Sequence, residues 1–176
     1  MKNNQNSWSM PVAVEDIPET GLHVEIEAPE AVRAALRAIA NLREFPRFSA
    51  VFDLTRRGTS VRVTGQVSAR VGQTCVVTLE PVESDLEESV DLVFAPALAG
   101  LTKAETVDLG TQEEDSPEPL VGGKVDLGAI ATEFLLLGID PYPRKPGAEF
   151  APVKADDGSA RPFAALEALK KHLGGD

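Results

Sequence analysis

The stretch that decides the fold is FSAVFDLTRRGTSVRVTGQVSARV, residues 48–71. Hydrophobic residues occupy every second position over 48–54 and again over 61–71, as in strands with one buried and one solvated face. Between them lies the run Arg56-Arg57-Gly58-Thr59, in which Gly58 can take the positive φ angle of a tight turn. The stretch therefore predicts an antiparallel β-hairpin.

Further predicted strands extend this hairpin in both directions along the chain. Alternation predicts strands over Pro11–Val14 and Leu22–Glu27 before it, and over Thr74–Glu80 and Leu86–Phe94 after it. Short turns join the last four predicted strands. The sequence thus predicts an α+β protein built on a twisted antiparallel β meander, partly barrel-like.

About three helices are predicted to pack with the meander. The first begins after Pro29, the second runs over 127–137 behind an Asp126 cap, and the third begins at Pro162. Their predicted buried faces are Val32, Ala35, Leu36 and Ile39; Ile130, Phe134 and Leu137; and Phe163, Leu166 and Leu173. These elements form a single predicted domain over 11–173, preceded by a disordered tail over 1–10.

An acidic loop interrupts this domain at about 97–123. The segment is rich in acidic residues and proline and poor in β-branched residues, so it predicts a flexible loop. Elsewhere no apolar run approaches membrane-spanning length, and the polar start lacks the apolar core of a signal peptide. A single cysteine excludes an internal disulfide and favours a reducing compartment. We therefore expect a monomeric cytoplasmic protein that does not enter a membrane.

Charge is distributed unevenly along the chain, whose formal net charge is −11. Residues 83–118 hold eleven acidic residues and one lysine, whereas residues 31–72 hold eight arginines and only two acidic residues. One interpretation is a solvated surface that aids solubility. The other is an arginine face for phosphate or carboxylate groups and an acidic face for a basic partner. The candidate contacts are Arg56, Arg57, Arg62 and Arg70 on the first face, and Glu113, Glu114 and Asp115 on the second.

Residue patterns that carry catalysis are scarce in this sequence. The two histidines, His23 and His172, lie at opposite ends of the chain, and no pair of residues has the spacing of zinc ligands. Cys75 is predicted to be an inert buried thiol, on one strand face with Val77 and Leu79. Glu133, in an apolar helix, is the best catalytic candidate, although a solvent-facing position opposite Ile130 and Phe134 is the favoured interpretation. We predict no enzymatic activity, no cofactor and no metal.

Tyr142 stands out among the nine aromatic residues because it is framed by Pro141 and Pro143 and followed by Arg144 and Lys145. A rigid tyrosine beside two cations can stack on a base or dock on a partner. It can equally pin its loop to the core. The sequence leaves both interpretations open.

Several motifs together resemble the YceD family, the large ribosomal RNA subunit accumulation proteins. They are CVVTLEP over 75–81 followed by an acidic strand ending at Phe94, VDLG over 125–128 with Glu133, DPYPRKPG over 140–147, and Arg161-Pro162-Phe163. The resemblance spans residues 48–173, and the motif residues include Cys75, Glu133, Asp140 and Arg161. Many members are expected to carry Cys-x-x-Cys where this chain has Cys75 and Thr78, so no metal or redox role of that pair can be transferred here.

The resemblance implies a bacterial ribosome-biogenesis protein that supports accumulation of large-subunit ribosomal RNA. Two hypotheses follow for its direct partner. In the first, the protein contacts precursor RNA locally through its arginines, since guanidinium groups suit phosphates. In the second, it escorts a basic large-subunit ribosomal protein through its acidic region, and RNA accumulates because assembly proceeds.

Overall fold

Seven strands, two α-helices and one short 3-10 helix (Val14–Asp16) form within residues 8–96 and 117–150, the two ranges that the computed structural model describes. In chain order they are β1 (Pro11–Ala13), β2 (Leu22–Glu27), α1 (Glu30–Ile39), β3 (Glu44–Arg57), β4 (Ser60–Thr74), β5 (Pro81–Ala95), β6 (Glu118–Pro119), β7 (Lys124–Asp126) and α2 (Leu127–Gly138). No helix in these ranges is long and apolar enough to cross a membrane.

The main sheet has five strands in the order β2-β3-β4-β5-β6. Its first four strands pair antiparallel with their neighbours, and the short β6 runs parallel to the end of β5. Strands β1 and β7 form a separate two-stranded sheet. The predicted α+β class and antiparallel meander are confirmed. The sheet is open rather than barrel-like, because β2 and β6 lie at its two edges and do not pair with each other.

One face of the sheet is buried and contributes most of the hydrophobic core. Phe48, Phe52 and Leu54 of β3 and the valines of β4 from Val61 to Val71 are almost completely buried there. Helix α2 packs against this face over β4 and β5. The opposite face carries the charged residues of the same strands, as the two-residue alternation predicts.

The predicted strand over Thr74–Glu80 is wrong. The ladder between β4 and β5 ends at the pair Thr74–Pro81, so residues 75–80 form the connection. Leu79, predicted to face inward, is 74% exposed and has a φ angle of 62°. The alternation of apolar residues here resembles that of a strand, but the segment is a loop. Of its six residues, Cys75 alone is fully buried.

Both helices present a slightly different face from the one predicted. In α1, Leu36 is buried, but Ile39 at the C-terminal end is 60% exposed. In α2, the row of Leu127, Ala131 and Leu135 faces the sheet, and Leu137 is 73% exposed. Residues four apart form this row, since they stack along one side of a helix. The third predicted helix lies outside the described residues.

Residues 8–10, which the prediction placed in a disordered tail, are held against the domain. The Trp8 ring is buried and meets Phe48 edge to face, with ring centroids 5.0 Å apart. A Cβ on Gly128 would lie 2.7 Å from the Trp8 carbonyl oxygen, so the absence of a side chain permits this approach. Residues 1–7 lie outside the described part of the chain.

The last part of the predicted acidic loop is also structured. Phe94 pairs with Glu118, which places β6 beside the end of β5. Gly122 and Gly123, both with positive φ angles, then turn the chain into β7. The rest of the predicted loop, residues 97–116, lies outside the described residues.

Asp126 ties the N-terminal residues to α2. As predicted, it caps the helix, accepting hydrogen bonds from the backbone N–H groups of Gly128 and Ala129. Its carboxylate also accepts the Met10 N–H at 2.8 Å and the Ser9 hydroxyl at 2.6 Å. Burial opposes ionisation of this carboxyl group, but the four hydrogen bonds lower its pKa below the ordinary value.

We expect Asp126→Ala to lower the free energy of unfolding by about 2 kcal/mol, the upper range for loss of an N-cap, because two further donors lose their acceptor. Urea unfolding at neutral pH measures this change. Glu133→Ala, an exposed change on the same helix, is the matched control and should stay within about 0.5 kcal/mol of the wild type. Equal effects of the two substitutions would contradict the stabilising role of the Asp126 hydrogen bonds.

Candidate functional site

The arginines and the acidic residues of the outer sheet face interleave instead of forming separate surfaces. Arg62 of β4 holds Asp91 of β5 through two hydrogen bonds, Nε–Oδ1 at 2.9 Å and Nη2–Oδ2 at 2.6 Å. Arg70, eight residues further along β4, contacts Glu83 at 2.7 Å and Asp85 at 3.5 Å. The predicted common face of Arg62 and Arg70 therefore exists, but neighbouring carboxylates neutralise much of its charge.

These pairs also change the ionisation of their members. The Arg62 hydrogen bonds lower the pKa of Asp91, and Glu83 with Asp85 raises the pKa of Arg70. All these side chains are about half exposed, where solvent screening leaves an ion pair little net contribution to stability. These ion pairs therefore stabilise the sheet only weakly, and they leave little unbalanced positive charge on its outer face.

The other two arginines of the predicted set lie at the β3–β4 hairpin. Arg56 is half-buried, and its Nη1 approaches the carbonyl oxygen of Val14 at 3.5 Å. Arg57 is exposed next to Gly58, whose φ angle of 63° makes the turn as predicted. The predicted quartet is therefore divided between the sheet face and the hairpin tip.

A second cluster surrounds the sulfur atom of Cys75. This buried atom accepts N–H groups from Lys145 at 3.3 Å and from Val77 and Thr78 at 3.4 Å each. The first donor comes from a segment seventy residues further along the chain. Cys75 is buried as predicted, but its surroundings are polar rather than those of an inert thiol.

Hydrogen bonding stabilises the thiolate form of Cys75. The backbone N–H of Lys145 and both the hydroxyl and the N–H of Thr78 lower the pKa of the thiol to about 6, against the opposing effect of burial. Position 78 thus contacts the sulfur even though it is not a second cysteine. In the described residues no group of three His, Cys, Asp or Glu side chains is arranged to hold a metal ion.

The Cys75 contacts join two segments that we call the two-loop platform: residues 73–80, which are the end of β4 and the loop after it, and residues 140–147. Three further contacts hold them together: Gln73 Nε2 donates to the Asp140 carbonyl oxygen at 2.8 Å, the Val76 N–H donates to the Pro143 carbonyl oxygen at 2.9 Å, and Lys145 Nζ lies 2.8 Å from Glu80. The second loop is therefore fixed on both sides of Tyr142.

Tyr142 and Arg144 point away from the contacts that hold the platform. Tyr142 is 71% exposed, and its backbone N–H donates to Asp140 Oδ1 at 2.8 Å. Pro143, between the two, is buried. Pro143 therefore attaches the loop to the domain, and the Tyr142 ring does not. Arg144 is exposed and makes no ion pair with the described residues.

Glu133 lies at the rim of a different feature, a groove of about 640 Å³ beside α2. Leu92 and Phe94 of β5 and Phe134 and Leu137 of α2 line this groove. The side chain of Glu133 is exposed, as the simpler interpretation of the sequence has it. Four other predicted contact or motif residues, Glu113, Glu114, Asp115 and Arg161, lie outside the described residues.

Sequence reasoning missed Gln73 and Glu80, which support the platform. Gln73 is the buried polar residue of the described core, and its amide fixes the second loop. Its place next to the end of a buried strand was a usable signal, because a buried amide needs a partner. Glu80 gave no such signal in an acidic chain.

Comparison with protein families identifies the family of this chain. The sequence model of the family described as "Large ribosomal RNA subunit accumulation protein YceD" matches residues 63–170, which include both loops of the platform. The chain belongs to the YceD family. Searches of curated proteins and of solved structures gave no match to it.

We expect Cys75 to titrate with a pKa of about 6 in the folded protein and about 8.5 in the unfolded chain. The free energy of unfolding then has its full thiolate contribution above about pH 8.5 and loses it as the pH falls toward the folded pKa. The ultraviolet absorbance of the thiolate measures the titration, and it is unambiguous because Cys75 is the only cysteine. Cys75→Ser supplies the baseline, and an ordinary pKa in the folded state would contradict the cluster.

Proposed function

We propose that the protein is a non-enzymatic factor that supports the accumulation of large-subunit ribosomal RNA by binding the precursor RNA. The family match over residues 63–170 carries this proposal, because the family is described by that role. The match includes the two-loop platform, which displays an aromatic ring and a guanidinium group at a fixed position. Such groups bind bases and phosphates.

Binding, rather than catalysis, is the role that the platform chemistry supports. The one strongly shifted thiol, Cys75, is fully buried and engaged by three backbone N–H groups. A nucleophile needs access to its substrate, whereas this sulfur is shielded. Its hydrogen bonds instead hold the loop that carries Tyr142.

RNA contact is expected to be local, because the protein as a whole is acidic. A net charge of −11 repels a polyanion at long range. On the sheet, carboxylates accompany Arg62 and Arg70. Arg57 and Arg144 are exposed and make no ion pair with the described residues, so they are the better phosphate contacts.

A second candidate function is the escort of a basic ribosomal protein. The outward side of β5 favours it, since its four carboxylates outnumber the three arginines that pair with them. The carboxylates are those of Glu83, Asp85, Glu87 and Asp91, and the arginines are Arg47, Arg62 and Arg70. In this alternative the sequence places the docking surface at Glu113, Glu114 and Asp115. The two functions differ in which molecule touches the protein directly.

Crosslinking in living cells separates them, with ultraviolet light to capture RNA contacts and a chemical crosslinker to capture protein contacts. We expect adducts with precursor RNA of the large subunit, and we expect loss of the protein to lower the ratio of large- to small-subunit ribosomal RNA. Neutralising Glu113, Glu114 and Asp115 together should leave the RNA adducts unchanged, because these residues do not serve RNA contact. Adducts confined to a basic ribosomal protein, and lost in that triple variant, would establish the escort instead.

A further inference from the structure

The backbone around Tyr142 directs two side chains to the same side. Tyr142 lies at the end of a bend over residues 141–142, residues 143–145 have no helical or turn structure, and the exposed Tyr142 and Arg144 flank the buried Pro143. Because Pro143 is buried, its two exposed neighbours lie on its outward side, and their Cα atoms can be at most about 7 Å apart. Lys145, the next residue, turns back to Glu80. The Tyr142 ring and the Arg144 guanidinium therefore form a paired outward surface.

This surface is rigid before any partner arrives. The backbone is held at Asp140 by Gln73, at Pro143 by Val76 and at Lys145 by Cys75, so Tyr142 lies between fixed points. Its own N–H is bound to the Asp140 carboxylate. A side chain on a fixed loop loses less conformational entropy on binding, and this favours affinity.

Two described acidic groups of the platform, Asp140 and Glu80, already have partners. Asp140 Oδ1 accepts the Tyr142 N–H, and Glu80 is paired with the ammonium group of Lys145, which lowers the pKa of the Glu80 carboxyl. Among the described residues of the platform, Arg144 is therefore the cation without an ion-pair partner, and it is available to an incoming anion. The thiolate of Cys75 is buried behind the loop and does not reach the outward side.

We propose that the two-loop platform binds one unpaired nucleotide of RNA, with the base stacked on Tyr142 and a phosphate held by Arg144. The proposal rests on the proposed function and adds the site and the structural class of the RNA. A ring face can stack only on a base that its neighbours leave open, which excludes a base inside a duplex. The separation of the two side chains suits a base and the phosphate of the same or the adjacent nucleotide.

Tyr142 is the only tyrosine of the chain, so fluorotyrosine gives a single fluorine resonance from this position in the full-length protein. The probe is a short single-stranded RNA of mixed sequence at low salt. We expect a saturable upfield shift from the ring current of the stacked base. The same RNA annealed to its complement, and inorganic polyphosphate, should leave the resonance in place.

Variants separate the two contacts. Tyr142→Phe keeps the ring and should bind as the wild type does, whereas Tyr142→Leu should weaken binding about five- to one-hundredfold. Arg144→Gln should make the fall of log affinity with log salt concentration less steep by about 0.7, the contribution of one phosphate contact in a single strand. Arg37→Gln, which removes an exposed arginine of α1, is the matched control and should leave both quantities unchanged.

An equal shift with duplex RNA, or full affinity in Tyr142→Leu with its fold intact by circular dichroism, would overturn the platform proposal. Crosslinks to precursor RNA in cells without a fluorine shift would overturn the platform and leave the proposed function standing. A fluorine shift with single-stranded RNA, but only protein crosslinks in cells, would support the platform and overturn the proposed function. The two proposals can therefore fail separately.

Discussion

The pairing of β4 on both of its edges is the constraint on which the rest of the structure depends. Over its length it exchanges hydrogen bonds with β3 on one side and β5 on the other. Its inward valines fill the core, and at Gly65 a Cβ would lie 2.1 Å from the Val51 carbonyl oxygen and 2.9 Å from the Phe52 ring. Glycine therefore lets the aromatic ring lie across the middle of the strand, and any larger residue would push β3 and β4 apart.

Most of the sheet could be predicted from the sequence, because burial on one side imposes a two-residue period that the chain displays. The hairpin at Gly58 and the cap at Asp126 also followed from local chemistry. The loop conformation of residues 75–80 could not be predicted, because their apolar and polar residues alternate as in a strand. In the structure these residues instead form a turn around the sulfur atom of Cys75. The buried face of α2 differs from the predicted one because an almost wholly apolar helix does not indicate by its sequence which side is buried. Packing against the sheet determines that side, and it buries Leu127, Ala131 and Leu135.

The sequence predicted which residue types contribute to the candidate site. It did not predict which residues they contact in the folded protein. Alternation alone places Arg62 and Arg70 on one face. Their carboxylate partners depend on the register between β4 and β5, in which Arg62 lies opposite Val93 and reaches diagonally to Asp91. Register is a property of the folded pair, fixed where the ladder ends at Thr74 and Pro81. The arginine face and the acidic face that the sequence predicts as separate surfaces are therefore combined on the outer face of the sheet.

The same register connects the sheet to the platform. Because the ladder ends at Thr74, the next residue places its sulfur at the base of the loop over 75–80, where Lys145 also donates to it. With a pKa of about 6 the sulfur is mostly thiolate at neutral pH, and an anionic acceptor forms stronger hydrogen bonds than a neutral one. Lys145 balances this charge, since Glu80 first and the Cys75 thiolate to a smaller extent raise its pKa. The buried anion is therefore stabilised by the loop that it holds, and the exposed position of Tyr142 follows from the strand pairing.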